Sequence, residues 1–304
     1  MSENCHHHGH THAPATYSRA FAIGIGLNLA FVLIEAGYGW KINSLALLAD
    51  AGHNLSDVAG LVLAWGAALA GRWLPDSRHT YGWKRASILA AFANAVLLLV
   101  AMGALAWEAL QRLQSPAVTE GVTIMCVAAA GVVVNGVTAA LFISGSKSDL
   151  NIRGAFLHMA ADALVSLGVV AAGALYLWQG WTWLDPVVSL LIALVIVGGT
   201  WNLFSGSLHL LFDGVPASID LREVQQCLRH LPGVAEVHDL HVWAMGTQEI
   251  ALTAHLVMPA GHPGDAFYQT AACLLQERFG IAHPTLQIEF SSLPHGCASP
   301  LPDD

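Results

Sequence analysis

The sequence predicts an α-helical membrane protein that carries a small α+β domain near its C-terminal end. The chain has 304 residues, of which 55% are hydrophobic and only 11% are charged, whereas about a quarter of the residues in a soluble domain are charged. Six apolar runs reach the length of about 20 residues that a membrane-spanning helix needs. Beyond residue 210 the apolar runs end, and shorter segments follow that have the periodicity of helices and strands.

The predicted spans have long apolar cores with few ionisable residues, and they cover residues 17–40, 45–70, 86–110, 118–144, 154–178 and 183–210. Residues 1–16 form a His-rich tail before them. This tail lacks the basic segment and the apolar segment of a signal peptide, so we expect the first span to be retained.

The distribution of basic residues predicts the orientation of the chain. If both termini lie on one side of the membrane, ten of the 12 Lys and Arg residues fall on that side, and only Lys41 and Arg112 fall on the other. Cytoplasmic loops carry such an excess of Lys and Arg. We therefore predict that both termini are cytoplasmic.

The formal net charge of −9 argues against a nucleic-acid partner.

Residues 211–292 are predicted to form a separate domain with the element order αββαβ. Helical spacing covers residues 215–230 and 264–279, and strand patterns cover 234–245, 249–258 and 285–290. This order suggests a sheet with its helices on one face. Residues 293–304 are rich in Pro and are predicted to form a flexible tail.

Two of the predicted spans contain the same pair of ionisable residues, spaced H-x-x-x-D. His53 and Asp57 form the pair in the second span, and His158 and Asp162 form it in the fifth. Charged side chains at membrane depth cost about 2.5–3.5 kcal/mol each, so they indicate a functional site. Residues spaced i, i+4 share one face of a helix. Interhelical hydrogen bonding would explain the presence of one such residue in a span. The repetition of the same pair in two spans favours a four-ligand metal site.

Two imidazoles and two carboxylates suit a tetrahedral Zn²⁺ ion and tolerate Co²⁺ or Cd²⁺. The two pairs lie at different distances from the ends of their predicted spans. They can meet only if the fifth helix begins before residue 154 or the second projects beyond the membrane.

Asp50 is either a supporting or entry carboxylate for the metal, or a capping or packing residue. Four further polar residues are expected to line a cavity or to bond between helices, namely Asn28, Glu35, Asn94 and Asn135.

Five segments of the sequence resemble the cation diffusion facilitator family. They read SLALLADAGHNLSD, RHTYGWKRASILAAFAN, LHMAADALVSLGVV followed by LDPVVSLLIA, and VHDLHVWAM. The resemblance covers essentially the whole chain after residue 15. It implies six transmembrane helices, a ferredoxin-like cytoplasmic domain, and a homodimer formed through this domain and the membrane helices. It also implies metal export by proton exchange, with the two H-x-x-x-D pairs as the transport site.

The resemblance further implies that His238, His255 and Glu289 bind a regulatory metal ion, although exposed strand residues without metal are the alternative. Weaker candidates are Cys5 and His6 in the N-terminal tail, which either complete such a site from a neighbouring subunit or capture metal loosely. Asp76 and His79 are weak candidates in the connection between spans two and three. Ser87 stands there where many relatives have Glu, so a solvated basic loop is the competing interpretation.

The sequence thus predicts a Zn²⁺/H⁺ antiporter that moves zinc, and also Cd²⁺ or Co²⁺, out of the cytosol. A membrane-bound zinc sensor that binds metal through its C-terminal domain is the alternative. An enzyme is not expected, because a zinc protease needs a motif such as H-E-x-x-H, which the sequence lacks. The short fourth connection lacks the His-rich loop of many eukaryotic relatives, which favours a bacterial inner membrane protein.

Overall fold

The computed structural model describes residues 15–71, 73–115, 120–143, 150–247 and 249–291, and within these ranges it leaves undescribed the side chains of several residues, among them Asp57 and His158. The described residues fall into two compact units. The membrane unit contains residues 15–62 and 93–204, and the C-terminal unit contains residues 63–92 and 205–291.

Each of the six predicted spans is a long helix. These helices are α1 (Ala15–Lys41), α2 (Leu45–Ala70), α3 (Ala86–Gln114), α4 (Gly121–Phe142), α5 (Leu150–Gln179) and α6 (Leu184–Leu211). Among the described residues, four segments are long and apolar enough to cross a membrane, namely Ala86–Gln114, Gly121–Leu141, Met159–Gln179 and Leu184–Leu211. These four segments lie in α3 to α6. The crossing of the membrane by α1 and α2 therefore remains a prediction.

Helix α5 begins at Leu150, four residues before the predicted start of its span at residue 154. Its first turn contains Asn151 and Arg153, so the apolar pattern of the sequence begins only after this turn. Helix α3 likewise continues past its predicted end at residue 110 to Gln114. The earlier start of α5 fulfils the condition under which the two H-x-x-x-D pairs can meet.

Helices α4 and α5 pack closely through small residues. A Cβ atom on Gly131 would lie 3.0 Å from Ser166 Oγ and 2.8 Å from the Phe31 ring. A Cβ atom on Gly173 would lie 2.7 Å from Met125 Cγ. Small residues allow membrane helices to approach each other closely in this way. Residues that come later in α4 face residues that come earlier in α5, so the two helices are antiparallel.

Asp185 at the start of α6 holds the N-terminus of α2. Its carboxylate accepts a hydrogen bond from Ser44 Oγ at 2.6 Å, and others from the backbone N–H groups of Leu45 at 3.0 Å and Ala46 at 3.3 Å. The first N–H groups of a helix have no partner within the helix and favour a negative charge. Asp185 is buried. From the start of α6, its carboxylate provides the hydrogen-bond acceptor that these N–H groups of α2 lack.

The C-terminal domain has the predicted order αββαβ. Its elements are α7 (Leu221–Arg229), β1 (Glu236–Ala244), β2 (Ile250–Val257), α8 (Asp265–Phe279) and β3 (Ile281–Glu289). The sheet is mixed, with the strand order β1-β2-β3, because β2 pairs with β1 antiparallel and with β3 parallel.

Two element boundaries in this domain differ from the prediction by four residues or more. Helix α7 begins at Leu221 and not at residue 215, because the Asp220 side chain caps it by accepting from the N–H groups of Arg222 and Glu223. Strand β3 begins at Ile281 and not at residue 285, and it runs through Pro284. Proline is tolerated there because β3 lies at an edge of the sheet.

The core of this domain lies between its helices and one face of the sheet. Leu252, Ala254 and Leu256 of β2 are buried against residues of α7 and α8. Successive side chains on a strand point to opposite faces. His255 therefore lies on the face that is turned away from the helices.

Candidate metal centres

His53 and Asp162 meet inside the membrane unit. His53 Nε2 on α2 lies 3.6 Å from Asp162 Oδ1 on α5, and the Asp162 side chain is only 4% exposed. Ligand atoms on a tetrahedral zinc ion lie about 3.3 Å apart, because each bond is about 2.0–2.1 Å long. One member of each H-x-x-x-D pair is thus close to the spacing that a shared metal ion requires.

A second contact fixes the register between α2 and α5. Ser166 Oγ donates a hydrogen bond to Asp50 Oδ2 at 3.1 Å, one helical turn from the contact between His53 and Asp162. Residues that come later in α2 face residues that come earlier in α5, so these helices are antiparallel. Continuing this register by one turn brings position 57 opposite position 158. The side chains of Asp57 and His158 lie outside the described part of the chain, so the four-ligand site, here called the quartet, remains a prediction.

Asp50 is 1% exposed and lies one turn away from the level of His53 and Asp162. Besides Ser166, it interacts with Glu35 of α1, which is fully buried. Two other polar residues make the interhelical contacts that the sequence predicted. Asn28 donates to Met159 Sδ at 3.4 Å, and Asn94 accepts from Ser56 Oγ at 3.4 Å. Asp50 thus contacts both α1 and α5, and its role at the metal site remains a prediction.

His238, His255 and Glu289, here called the C-terminal triad, form a second group of possible metal ligands. Each offers one ligand atom, and these atoms all lie within 4.8 Å of one another. His238 Nε2 is 3.0 Å from Glu289 Oε2, and His255 Nδ1 is 2.9 Å from Glu289 Oε1. Two imidazole nitrogens and a carboxylate suit zinc, and small side-chain movements would bring them to its bond lengths.

Strand pairing explains why the triad forms. His238 of β1 is paired with His255 of β2. Glu289 of β3 is paired with Val257, which lies in β2 two positions after His255. All three side chains lie on the sheet face opposite the helices. Glu289 is 7% exposed, although alternation along β3 predicted only that it lies off the apolar face.

Asp239 is a neighbour of the triad and one of the acidic and histidine residues that the sequence offers in this domain, although the family resemblance does not include it among the ligands. The pairing of β1 with β2 is irregular between His238 and His241, and Asp239 has a positive φ of 49° there. Its carboxylate lies 3.1 Å from His241 Nε2 and 3.6 Å from His255 Nε2. Such an irregularity redirects a side chain, and no residue pattern in this strand signals it.

Opposing influences set the ionisation of Glu289. Burial raises the pKa of Glu289, but hydrogen bonds from His238 and Gln287 and the charges of His238 and His255 outweigh it, so the pKa lies below its usual range. The carboxylate is therefore ionised at cytosolic pH. It can bind a metal ion without first releasing a proton.

Comparison with known families identifies the chain. Residues 21–212 match the family described as "Cation efflux transmembrane domain", and residues 216–291 match the family described as "Cation efflux protein, cytoplasmic domain". The chain belongs to the cation efflux family. The resemblance to the cation diffusion facilitators is thereby confirmed, and the chain is a metal cation exporter, an integral protein of a bacterial membrane with a cytoplasmic C-terminal domain.

Named relatives of this cation efflux protein are metal transporters. The zinc transporter ZitB of Escherichia coli (strain K12) is 38% identical over 86% of this chain and 83% of its own length. The metal cation efflux system protein CzcD of Cupriavidus metallidurans is 36% identical over the same shares. The "Cadmium, cobalt and zinc/H(+)-K(+) antiporter" of Bacillus subtilis (strain 168) is 33% identical over 87% of this chain and 86% of its own length.

Among solved structures, the chain matches the "Metal-bound C-terminal domain of the CzcD transporter from Cuprividus metallidurans". The identity is 36%, the match covers 23% of this chain and 99% of that chain, and the TM-score is 0.21.

The connection between α2 and α3 of this cation efflux protein holds Asp76 and His79. Asp76 accepts hydrogen bonds from the backbone N–H groups of Arg78 at 2.7 Å and His79 at 2.6 Å, and its carboxylate lies 3.3 Å from His79 Nδ1. The backbone bonds from His79 and Arg78 lower the pKa of Asp76. This local turn accounts for Asp76 without a metal ion. Cys5 and His6 lie outside the described residues.

Ser87 has a structural role in the same part of the chain. Its hydroxyl donates to Lys84 O at 3.0 Å and accepts from the backbone N–H of Thr247 at 3.1 Å. Thr247 belongs to the turn between β1 and β2, and its neighbour Gly246 lies so close that an added Cβ atom would be 2.8 Å from Lys84 O. Ion pairs join Lys84 to Glu249 and Arg85 to Asp213. The connection is therefore fixed to the cytoplasmic domain within the C-terminal unit.

Proposed function

We propose that this protein exports Zn²⁺ from the cytosol in exchange for protons. The observation that carries the proposal is the 3.6 Å approach of His53 Nε2 and Asp162 Oδ1, which brings ligands from two antiparallel helices together in a largely buried position. Two of the relatives above are named as a zinc transporter and as an antiporter that exchanges cadmium, cobalt and zinc for protons and potassium. These names support both the cargo and its exchange for protons.

Proton exchange follows from the chemistry of the ligands. A metal ion binds neutral imidazole and ionised carboxylate, so its binding releases protons. Histidine is the side chain that usually changes its charge between pH 5 and pH 8, which makes this linkage effective at cellular pH. The helices then expose the site to the other side of the membrane. Protons from that side reload the ligands and expel the metal ion.

The ligand chemistry also sets the expected range of cargo. Two imidazoles and two carboxylates suit Zn²⁺, accept Cd²⁺ and Co²⁺, and suit Mg²⁺ and Ca²⁺ less well. We therefore propose Zn²⁺ as the main cargo, with Cd²⁺ or Co²⁺ as further cargo.

We further propose that all six long helices cross a bacterial inner membrane, with both termini in the cytosol, and that the cytoplasmic domain is ferredoxin-like. The cytoplasmic-domain family that residues 216–291 match bears the name ZT_dimer, and this name supports a homodimer. The C-terminal triad supports a regulatory zinc ion in that domain, because its possible ligand atoms lie within 4.8 Å of one another. No enzymatic reaction belongs to this proposal.

Zinc uptake into liposomes with an imposed pH gradient tests the proposal. Proton-driven zinc flux is expected from the wild-type protein and should be abolished in Asp57→Ala and in Asp162→Ala. Glu108→Gln is the matched control, because it neutralises a half-exposed carboxylate that pairs with Arg112. Undiminished flux in both Asp variants would refute the quartet as the transport site. Wild-type zinc flux that is independent of the pH gradient would refute proton exchange.

A zinc sensor is the second candidate function, and the C-terminal triad is the observation that favours it. In a sensor, zinc binds the cytoplasmic domain and no flux follows. A chain that ends after residue 210 distinguishes the two, since a transporter should retain some flux without its cytoplasmic domain. Zinc binding by the full chain without zinc flux would support the sensor.

A further inference from the structure

The side chain of Asn135 on α4 has no visible structural role. It is fully buried. Neither its Oδ1 nor its Nδ2 has a hydrogen-bond partner among the described residues. Most buried polar side-chain atoms are paired, and an amide with both groups unpaired needs an explanation. Leaving such a group unpaired destabilises the folded protein. Asn28 and Asn94, by contrast, bond to neighbouring helices.

The register between α4 and α5 shows what Asn135 faces. Gly131 of α4 lies against Ser166 of α5, as the 3.0 Å distance from a Cβ at this glycine shows. Asn135 lies one turn beyond Gly131, and Asp162 lies one turn before Ser166. Because the two helices are antiparallel, Asn135 and Asp162 lie at the same level.

The burial pattern places both residues in the interface. The buried positions of α4 form a stripe that contains Ile124, Ala128, Gly131, Asn135 and Thr138. The buried stripe of α5 contains Asp162, Ser166, Val169 and Gly173. Asn135 and Asp162 lie on stripes that pack against each other, and Asp162 also contacts His53 of α2. Helices α2, α4 and α5 therefore converge at this level.

We infer that Asn135 is a positioning residue of the transport site, one that the pair of H-x-x-x-D motifs does not include. Its Nδ2 can donate to the oxygen of a ligand carboxylate that does not bind the metal. Hydrogen bonds of this kind orient metal ligands, and their loss lowers metal affinity roughly 10–100-fold. The unpaired amide is retained in the interface because it serves the loaded site. This inference rests on the proposed function.

The substitution Asn135→Leu separates this role from a structural one. Leucine has a similar volume and removes both unpaired polar groups, so the folded protein should be as stable as the wild type or more stable. The same variant should raise the KM for zinc roughly 10-fold or more, with a smaller change in kcat. Asn135→Ala should raise KM in the same way and covers the case in which leucine does not fit.

Thr138→Val is the matched control. Thr138 is 1% exposed on the same stripe, and its hydroxyl donates to Val134 O of its own helix at 2.8 Å. This variant should leave KM unchanged. An unchanged KM in both Asn135 variants would overturn the inference. So would a loss of thermal stability in Asn135→Leu with KM and kcat otherwise intact.

A binding measurement keeps this test independent of transport. Titration with Co²⁺ in a full-length protein that carries His255→Ala and Glu289→Ala reports the membrane site through its visible absorption. Asn135→Leu in this background should raise the Co²⁺ Kd roughly 10–100-fold, whereas Thr138→Val should not. If the wild type shows no proton-driven flux but this difference in Kd is found, the antiport proposal fails and the role of Asn135 stands. If flux is present and the two variants have equal Kd values, the role of Asn135 is refuted.

Discussion

Glu289 is the residue that joins the two histidines of the C-terminal triad. Each of its carboxylate oxygens lies about one hydrogen-bond length from a different imidazole, at 3.0 Å from His238 and 2.9 Å from His255. This carboxylate holds both rings near the positions that a metal ion bound to the triad would require. Preorganised ligands need little rearrangement on binding. Glu289 therefore orients both imidazole rings of the proposed metal site.

Replacing Glu289 with Gln should destabilise the metal-free domain at neutral pH by about 1–3 kcal/mol, because bonds to a charged acceptor are lost. Since the pKa of Glu289 lies below the ordinary value of 4.5, the ionised form stabilises the fold above about pH 4.5. This contribution disappears as the pH falls through the folded-state pKa. Thermal unfolding of residues 211–291 from pH 7 down to pH 3 measures the difference.

Glu277→Gln is the control for this prediction, because Glu277 is exposed on α8. Its unfolding temperature should follow that of the wild type throughout the pH range. A difference between wild type and Glu289→Gln that stays constant down to pH 3 would contradict the assigned role.

The turn between β1 and β2 is the element that fixes the α2–α3 connection to the cytoplasmic domain. It contributes the Thr247 N–H to Ser87 Oγ and the Glu249 carboxylate to Lys84. Partly exposed ion pairs contribute only about 0.2–1 kcal/mol each. The close approach of Gly246 to Lys84 O therefore controls this contact more than the ion pair does.

Substituting Gly246 with Val should release this contact, because a Cβ atom at this position would lie 2.8 Å from a backbone oxygen that cannot easily move. Trypsin cleaves after Lys84 and Arg85, both of which lie in the fixed connection. The initial rate of cleavage at these two sites in the full-length protein should rise several-fold relative to the wild type. Gly206→Val is the control, since a Cβ atom there meets nothing within 4 Å. Equal cleavage rates in the three proteins would show that the turn does not protect the connection.

At the scale of the whole molecule, the distribution of basic residues predicts how the chain lies in the membrane. Lys41 ends α1, and Arg112 lies in the last turn of α3. Arg112 is 9% exposed and bonds to Asn43 Oδ1 at 2.7 Å and to the backbone oxygen of Asn43. These two basic residues lie at the helix ends that we assign to the outer side, and Arg112 is largely engaged by the protein itself.

Fusions to a reporter enzyme that is active only outside the cytosol test this orientation. Activity is expected when the reporter follows Lys41 or Arg112, and no activity is expected when it follows Lys84 or residue 304. Comparable expression of all four fusions is the control. Reporter activity at residue 304 would contradict the cytoplasmic position of the C-terminus.

The residue pattern predicted the six long helices, the order αββαβ and the candidate ligands. Apolar runs predict helices reliably because a buried helix must be apolar along its length. Helix ends were predicted less well. The first turn of α5 contains Asn151 and Arg153, which the apolar pattern does not include. The cap on α7 depends on Asp220, whose carboxylate meets the N–H groups of Arg222 and Glu223 only in the folded backbone.

The sequence by itself determined the chemistry of this protein, because the repeated H-x-x-x-D pairs define which donor atoms are available for a metal ion. Only the tertiary structure decided which of these atoms meet. The register between α2 and α5 sets His53 against Asp162, and the strand pairing sets His238 and His255 against Glu289. It likewise decided that Asn135 lacks a hydrogen-bond partner among the residues that the structure describes. Side-chain types are local properties of a chain, whereas helix register and strand pairing depend on packing between distant segments.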